Sequence, residues 1–423
     1  MHNQPDHRAL FDWLHEHGAR TGPLRIGEHG GVRGLVAAAG IAKGEVVLEL
    51  PRTLLLTIGV AQASEVGQAV MKAYAPGECE DATLAAFLLR ERAAGDSFWK
   101  PYLDLLPEAL PGFPLFFEPE VLDLLRGSSA LETIAGRRAF LREEHALLSA
   151  VVPALSEVGF AQWAWARSIV TSRTFSILQD GKDVRCMIPL ADLLNHATRF
   201  EVEWDWSESA DAFVLRAQSD LAAGSPVRNS YGQRNNRSFF LNYGFAPEEP
   251  EHDEAVLKLA TPLDPLKLEA LGFGRPTPSL SFPLGARTEA DAIPLLLKFL
   301  RVACAAPEEL RAAAAGAGPV SLANEVRAVR ALATACQQRR DRFATTLEED
   351  EALLADAPLL GNRRMCVVVR RGEKRVLRRH LEQAERALAM LSSSLEEAER
   401  LAAQEPPGPL WAAALLAART FSC

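Results

Sequence analysis

The sequence predicts an α+β protein in which a β-rich domain is interrupted by a helical insert and followed by an all-helical domain. Three observations predict it: β-type runs stand near both ends of the first 250 residues, helical periodicity fills the stretch between them, and it returns in the last third. We place the β-rich domain at residues 1–250 with its insert at about 60–160, and the helical domain at 251–423. A chain of 423 residues can form two or three domains.

The β-type runs near the N-terminus follow a short helical pattern. Residues 7–18 carry apolar side chains at helical spacing, with Leu10 and Leu14 one turn apart. Three short apolar runs come next, at 34–38, 46–50 and 54–57, with turn residues between them. This arrangement predicts a small meander of strands.

The second β-rich part begins near residue 184. Its segment FEVEWDWSE places Phe200, Val202, Trp204 and Trp206 on one face, which is the period of two expected of a half-buried strand. Between the two β-rich parts, from about 60 to 170, Ala, Leu and Arg recur at three- and four-residue steps and predict helices. An aromatic and proline-rich loop is predicted within this stretch at 98–117.

The last third is predicted to start with a loop rich in Gly, Pro and Ser at 271–285. Its clearest helix is predicted at 375–402, where Leu and Ala recur at steps of four and three. We expect a long helix packed in a bundle, and a self-associating coiled coil is the alternative.

Composition argues against several classes of protein. The net charge of −9 and the lack of a basic stripe argue against nucleic-acid binding. The six cysteines show neither Cys-x-x-Cys nor zinc-finger spacing, so we expect no structural zinc and no disulfide framework. The N-terminus lacks a signal-peptide pattern, and Lys298 and Arg301 interrupt the longest apolar tract, so we expect no membrane span. The sequence predicts a soluble cytoplasmic monomer.

Three short stretches contain more special residues than architecture requires: GGVRGL at 30–35, PLADLLNH at 189–196 and NSYGQRNNRSFFLNYGF at 229–245. The first lacks the spacing of a dinucleotide-binding loop and the Lys-Ser/Thr of a P-loop, so alone it is a turn or a close approach of backbone to a ligand. The Asn195–His196 pair alone would be the end of an element. The third stretch fits a strand end and a short helix closed by Gly244, which leaves its asparagines and Tyr–Gly pairs unexplained.

Together these stretches resemble the SET-domain methyltransferases, in particular the subfamily of the plant Rubisco large-subunit lysine methyltransferase and the actin-histidine methyltransferase. SFWKPYLDLLP resembles the inserted helical region of this subfamily, and TTLEEDEALLA with VVVRRGEKRVLRRHLEQA resembles its helical substrate-binding domain. The resemblance implies a SET fold, S-adenosylmethionine as methyl donor and a protein side chain as acceptor, with no metal. It also implies that the C-terminal domain docks the protein substrate.

The resemblance also assigns the residues of the donor site. It implies that the main chain near Arg33 holds the amino-acid part of the donor, that Arg173 pairs with its carboxylate, and that the segment around Tyr243 lies against its adenine. Many relatives have a glycine where this chain has Val32. The implied donor-binding residues are Gly31, Val32, Arg33, Arg173, Leu193, Leu194, Asn195, His196, Tyr243, Gly244 and Phe245.

Tyr231 matches the catalytic tyrosine of the family. Methyl transfer from a sulfonium to an amine is an in-line displacement, so positioning and nearby oxygens do much of the work. The incoming amine must be neutral, and a desolvated channel lowers the pKa of a lysine. This chemistry requires neither a metal nor a covalent intermediate.

Phe175 and Ala191 bear on the acceptor. The actin-histidine member has an asparagine and a tryptophan at these places, whereas this chain agrees with the lysine-modifying relatives. A small residue with an aromatic wall suits a long aliphatic stem that ends in a cation. We therefore expect a lysine of a non-histone protein as acceptor. The alternatives are histidine methylation and a non-catalytic SET protein that only binds a partner, and both residues could simply be core.

Overall fold

The computed structural model describes residues 7–75, 77–261, 264–273, 279–285, 292–316, 318–355, 359–403 and 408–421. The chain divides into two compact units, Met1–Leu110 with Arg137–Gln233 and Pro111–Gly136 with Arg234–Cys423. These units are defined by compactness and so do not test the predicted domain limits. The domain boundary near residue 250 and the insert at about 60–160 stay a proposal.

The helices of the described residues are α1 (Arg8–Glu16), α2 (Ile58–Ala63), α3 (Glu65–Met71), α4 (Glu80–Ala93), α5 (Lys100–Leu103), α6 (Pro119–Leu122), α7 (Ser129–Val151), α8 (Phe160–Arg173), α9 (Asn236–Tyr243), α10 (Pro265–Ala270), α11 (Ala292–Ala303), α12 (Leu310–Ala315), α13 (Leu322–Arg340), α14 (Leu347–Ala355), α15 (Gly361–Leu391), α16 (Leu395–Ala403) and α17 (Pro409–Phe421). The strands are β1 (Arg20–Thr21), β2 (Leu24–His29), β3 (Val32–Ala37), β4 (Val46–Pro51), β5 (Leu56–Thr57), β6 (Thr174–Gln179), β7 (Lys182–Met187), β8 (Asn195–His196), β9 (Val202–Ser207), β10 (Ala212–Ala217), β11 (Pro226–Asn229), β12 (Glu254–Ala260) and β13 (Ser279–Gly285).

Three small sheets form the β-rich part of the first unit. Their strand orders are β1-β4-β10-β9, β2-β3-β11-β8 and β5-β7-β6. Each sheet joins strands from before and after the helical stretch, which is why the helices between β5 and β6 interrupt the β-rich part of the chain. The predicted period of two holds in β9, where Val202 and Trp206 are buried, whereas Phe200 precedes the strand and is exposed.

The second unit is largely helical, and its long helix α15 packs in the centre of a hydrophobic core. Leu377, Ala384 and Leu391 of the predicted seam are buried in this core together with residues of α11, α13 and α17. The seam therefore belongs to a helical bundle. The predicted helix at 375–402 is wrong at both ends, because α15 begins at Gly361 and the Ser392–Ser394 turn separates it from α16.

The second unit also contains strands that the sequence analysis missed. Residues 279–285 were expected in a loop, but they form β13, which pairs antiparallel with β12 from Glu254↔Gly285 to Ala260↔Ser279. The prediction failed because Ser, Gly and Pro283 are residues typical of turns. Proline is nevertheless tolerated in a strand that has a free edge. Residues 274–278 of the same predicted loop lie outside the described residues. The C-terminal region was predicted to be all-helical, and it also contains this two-stranded sheet.

The described residues contain neither a membrane-spanning helix nor a cluster of metal-binding side chains. No helix there has the length and apolar character needed to cross a membrane. No group of three or more His, Cys, Asp or Glu side chains there could hold a metal ion.

Candidate functional site

A strained turn at Leu190 precedes the Asn195–His196 segment. Leu190 has φ 67° and ψ −44°, and the Ala191 N–H donates to the Pro189 carbonyl over 2.8 Å. This is a γ-turn of the rare type with positive φ, which leucine adopts only under constraint. The Leu190 side chain is fully buried, so packing holds the turn and starts the Ala191–Leu193 helical turn at a set position.

Asp192 lies at the centre of a buried polar cluster. Its Oδ2 accepts a hydrogen bond from the Tyr102 hydroxyl over 2.8 Å, and Nη1 of Arg173 lies 3.3 Å from it. The same Arg173 nitrogen donates to the Asp192 carbonyl over 2.8 Å. The Asp192 side chain is only 1% exposed, and its burial raises the pKa of the carboxyl although Arg173 opposes that rise.

Arg173 is the last residue of α8 and immediately precedes β6, so it is held by a helix end and a strand start. Its Nε is buried without a hydrogen-bond partner among the described residues. Burial lowers the pKa of the Arg33 guanidinium, and the nearby Arg173 lowers it further while Asp192 acts in the opposite direction. Arg173 is thus the guanidinium paired with the buried Asp192 carboxylate, Arg33 adds a second positive charge nearby, and this corner of the first unit can accept a further anion.

The glycine-rich turn between β2 and β3 approaches the same segment. Gly31 adopts φ 78° with open space around it, and Val32 beside it is exposed. The side chain of Arg33 donates from Nη2 to the Leu105 carbonyl over 2.7 Å, and the Asn195 amide donates to the Arg33 carbonyl over 3.1 Å. Gly34 faces Asn195, because a Cβ at position 34 would overlap the Asn195 amide nitrogen.

Tyr231 and His196 are joined by a parallel strand pair. β8 and β11 align Asn229 with His196, which brings Tyr231 beside the imidazole at 5.3 Å between ring centroids. The Tyr231 N–H donates to His196 Nδ1 over 3.1 Å, so the neutral ring carries its proton on Nε2. Burial lowers the pKa of His196, which keeps the ring neutral at pH 7. The Tyr231 hydroxyl donates to the Leu194 carbonyl over 2.7 Å.

The two acceptor-related residues lie in different surroundings. Ala191 is fully buried in the turn after Leu190. Phe175 is half-buried on β6 and meets Trp204 and Phe213 edge to face, at 5.7 Å and 5.8 Å between ring centroids.

The segment predicted to lie against adenine belongs to the second unit. As expected, α9 is closed by Gly244, which adopts φ 74°. Asn235 caps the start of this helix by accepting from the Ser238 N–H over 2.7 Å. The rings of Tyr243 and Phe245 lie 6.4 Å apart, and both pack on Phe239. The assignment of Tyr243, Gly244 and Phe245 to the donor stays a prediction.

The structure brings the other predicted residues together within the first unit, and it adds two that sequence reasoning missed. Arg173, Asn195, His196, Tyr231 and the turn at Gly31 are linked by the contacts above, with Leu193 and Leu194 between them. Asp192 was visible as the one acid in an apolar run. Tyr102, which is 90 positions away in the chain, gave no signal of its own.

Two family models match this chain. The model of the SET domain matches residues 32–232, and the model described as Rubisco LSMT substrate-binding matches residues 259–377. A SET domain followed by a substrate-binding domain of this type is the architecture of a protein methyltransferase.

The curated relatives include the actin-histidine N-methyltransferases of Gallus gallus and Homo sapiens, each 30% identical to this chain, with 89% of this chain and 68% of theirs aligned. A solved structure of Rubisco LSMT bound to sinefungin and monomethyllysine superposes with a TM-score of 0.79 at 26% identity, covering 92% of this chain and 94% of that chain. A SET domain of LSMT bound to lysine and AdoHcy has a TM-score of 0.80 at 24% identity, over 93% of both chains, and supports the fold.

The chain therefore belongs to the SET-domain protein methyltransferases that carry a Rubisco LSMT-type substrate-binding domain. The predicted family and fold class are confirmed, and S-adenosylmethionine is the methyl donor of this class.

Proposed function

We propose that the chain transfers methyl groups from S-adenosylmethionine to the side-chain amine of a lysine in a non-histone protein. The observation that carries the choice of lysine is the aromatic cluster of Phe175, Trp204 and Phe213 on neighbouring strands. Edge-to-face packing holds the Phe175 ring in place, and a fixed aromatic face suits an aliphatic stem with a cationic end. Ala191 adds no side-chain bulk to the turn that leads to the Asn–His pair.

The described residues of the first unit fit the amino-acid part of the donor. Its carboxylate needs a cation, and the buried Nε of Arg173 has no hydrogen-bond partner among the described residues. The turn at Gly31 leaves open space beside the main chain, which lets a ligand approach it closely. Asn195 and His196 of β8, with Leu193 and Leu194 before them, supply side-chain and main-chain groups, and the Asn195 amide bonds to the Arg33 carbonyl.

We assign the adenine to the segment of Tyr243, Gly244 and Phe245 on the family resemblance. The mutual packing of its rings with Phe239 supports that assignment, because a rigid aromatic surface is a good platform for a base.

The reaction requires positioning more than proton transfer by the protein. When bound, the donor supplies an electron-poor methyl group on a sulfonium. The Tyr231 oxygen is held by its bond to the Leu194 carbonyl, and such oxygens align a methyl group by weak C–H···O contacts. Neutral His196 adds no positive charge beside Tyr231. A desolvated channel favours the neutral form of the incoming amine, so no buried base is needed.

Histidine is the second candidate acceptor. The relatives at 30% identity are named actin-histidine N-methyltransferases, which favours an imidazole acceptor, whereas the superposed Rubisco LSMT is described with monomethyllysine. We favour lysine because this chain has Phe175 and Ala191 at the two positions that distinguish the subfamilies. A partner-binding protein without catalysis is the third alternative.

The C-terminal domain docks the protein substrate in this proposal, as the name of the matched family model suggests. Five cysteines of the described residues are free thiols, which supports action in the reducing cytoplasm. A monomeric state stays a prediction from the sequence.

A labelling experiment tests the function directly. We expect the purified chain, incubated with S-adenosylmethionine labelled in the methyl group and a host-cell lysate, to label a protein on lysine, as identified by mass spectrometry. A methylhistidine product would overturn the choice of acceptor. If no protein is labelled and the donor does not raise the melting temperature, the chain is a binding module instead.

Phe175→Asn tests the acceptor wall. We expect kcat/KM for the lysine substrate to fall by about tenfold, since the amine nitrogen gains positive charge as the methyl group moves to it from sulfur, and an aromatic contact with a desolvated cation is worth about 1–2 kcal/mol. Donor binding, measured as thermal stabilisation by S-adenosylmethionine, should persist because Phe175 is not among the assigned donor-binding residues. Phe213→Leu is the matched control, because it disturbs the same cluster and keeps the ring at position 175. Equal losses of kcat/KM in both variants would show that Phe175 only packs within the cluster and does not contact the substrate.

A further inference from the structure

A cavity of about 250 Å³ lies within the second unit, beside β12, and we call it the strand-edge cavity. Its walls come from β12, the C-terminal half of α13 and the first turn of α7. The lining residues are Ser129, Glu132, Val256, Leu257, Lys258, Leu259, Ala260, Ala335, Gln338, Arg339 and Arg342.

The cavity runs along the edge of β12. Side chains alternate between the faces of a strand, so a cavity over one face would touch every second residue. Five consecutive residues, 256–260, line this one. Among the described residues β12 pairs only with β13, and no other backbone group there is hydrogen-bonded to residues 256–260. An unpaired strand edge is a template on which an extended peptide can add a strand.

Arg339 supplies a buried cation to the cavity. The residue is 8% exposed, and its Nε has no hydrogen-bond partner among the described residues. Its nearest carboxylate is Glu373, whose Oε2 lies 3.7 Å from Nη2, too far for a hydrogen bond. Glu373 is instead bonded to Ser128 and Ser129, and burial raises the pKa of its carboxyl. Arg339 therefore lacks a hydrogen-bonded carboxylate of its own, which buried guanidinium groups normally have.

The remaining charges of the lining are also mainly positive. Lys258 and Arg342 accompany Arg339, and Glu132 is the single acid among the lining residues. Glu132 forms an ion pair with Lys258 at the rim, where each side chain is about half exposed. A neighbouring depression of about 550 Å³ lies over one face of β12 and β13, shares Glu132 and Lys258 with the cavity, and is also lined by Arg237 and Glu254. The cavity and the depression together are longer than one side chain, and the excess of positive charge lies in the cavity itself.

We infer that the strand-edge cavity binds an extended acidic segment of the protein substrate, whose main chain pairs with residues 256–260 and whose carboxylate reaches Arg339. The inference rests on the proposed function only in naming the partner as the methyl acceptor. We infer a peptide because five consecutive strand residues line the cavity, whereas a small anion would contact the guanidinium alone.

Fluorescence anisotropy with the full-length chain tests this binding without any methyl transfer. The probe is a fluorescein-labelled heptapeptide, Thr-Glu-Val-Glu-Val-Glu-Thr, and the comparison peptide has Gln in place of each Glu. We expect the Glu peptide to bind at least tenfold more tightly, and N-methylation of alternate peptide nitrogens to weaken it at least tenfold. Equal affinity of the Glu and Gln peptides would overturn the inference, and so would full competition by free glutamate at the same concentration as the peptide.

Matched variants assign the binding to the cavity. Arg342→Glu and Lys258→Glu change exposed residues and should each weaken the Glu peptide at least fivefold, so the test does not depend on the buried Arg339. Arg330→Glu is the control, because Arg330 is exposed on α13 and does not line the cavity. An equal loss in all three variants would indicate a general charge effect and overturn the site. If the Glu peptide binds as expected but the labelling experiment detects no methyl transfer, the proposed function fails and the acidic-peptide site remains. If a lysine is labelled but the Glu peptide does not bind, the proposed function remains and this site fails.

Discussion

Replacing Tyr231 by phenylalanine is expected to lower the rate of methyl transfer by about 10²–10³-fold, the range found when one preorganised polar group is removed from an active site. The hydroxyl is bonded to the Leu194 carbonyl, so the wild-type oxygen has a set position before any ligand binds. Phenylalanine keeps the ring beside His196 and removes only that oxygen. Turnover is measured with labelled donor and the acceptor identified by the labelling experiment.

Donor binding and folding should change little in the same variant. The lost hydrogen bond costs about 1 kcal/mol of stability. Thermal stabilisation by S-adenosylmethionine should match that of the wild type. Tyr74→Phe is the control, because the Tyr74 hydroxyl likewise donates to one acceptor, Glu144, over 3.0 Å and is not part of the site. If Tyr231→Phe turns over as fast as Tyr74→Phe, Tyr231 is not the catalytic tyrosine.

The order of elements in this fold could be predicted because periodicity is a local signal. The strands near Val46 and Val202, and the seam of α15, repeat apolar residues at the period of their own element. β13 could not be predicted, because its pairing with β12 compensates for a turn-like composition and that pairing is not local. Element ends were missed for a related reason, since Ser392 and Ser393 end α15 by local bonds to its last carbonyls, which periodicity does not record.

The candidate site could be predicted where residues lie in short motifs, and not where distant segments supply the partners. GGVRGL and the Asn195–His196 pair stood out as sequences. Tyr102, by contrast, lies within the insert and contacts Asp192, 90 positions further along the chain. One tyrosine in an aromatic loop carries no sign of that contact. The positive φ of Leu190 was equally hidden, because leucine does not favour such a turn and burial alone imposes it.

Replacing Arg173 by methionine is expected to cost about 3–5 kcal/mol of unfolding free energy, because it leaves the Asp192 carboxylate buried without its cation. That side chain is 1% exposed, its Oδ1 already lacks a hydrogen-bond partner among the described residues, and the Tyr102 hydroxyl would be its remaining hydrogen-bond donor, with Arg33 acting only as a nearby positive charge. Urea unfolding of the purified variant measures the loss. Arg185→Met is the control, since Arg185 pairs with Asp81 where both side chains are about one-third exposed, and it should cost less than about 1 kcal/mol.

The stability lost in Arg173→Met should increase as pH rises. Burial already raises the pKa of Asp192 in the wild type, and without Arg173 that pKa rises further. The folded variant then binds a proton that the unfolded chain releases at lower pH, so its stability falls as pH rises through the raised pKa. We expect the deficit of Arg173→Met relative to wild type to be smaller at pH 5 than at pH 8. A deficit that is the same at both values would mean that Asp192 does not carry the effect.

A second substitution separates the structural role of Arg173 from its role toward the donor. Asn at position 192 carries no charge and can still accept from the Tyr102 hydroxyl, so Arg173→Met combined with Asp192→Asn should recover most of the lost stability. The double variant still lacks the guanidinium, so saturating S-adenosylmethionine should not raise its melting temperature, whereas at 100 times Kd it stabilises a competent site by about 2.7 kcal/mol. If donor binding returns together with stability, Arg173 only holds Asp192 in place, and the donor's carboxylate must be bound by another group, of which the neighbouring Arg33 is the first to test.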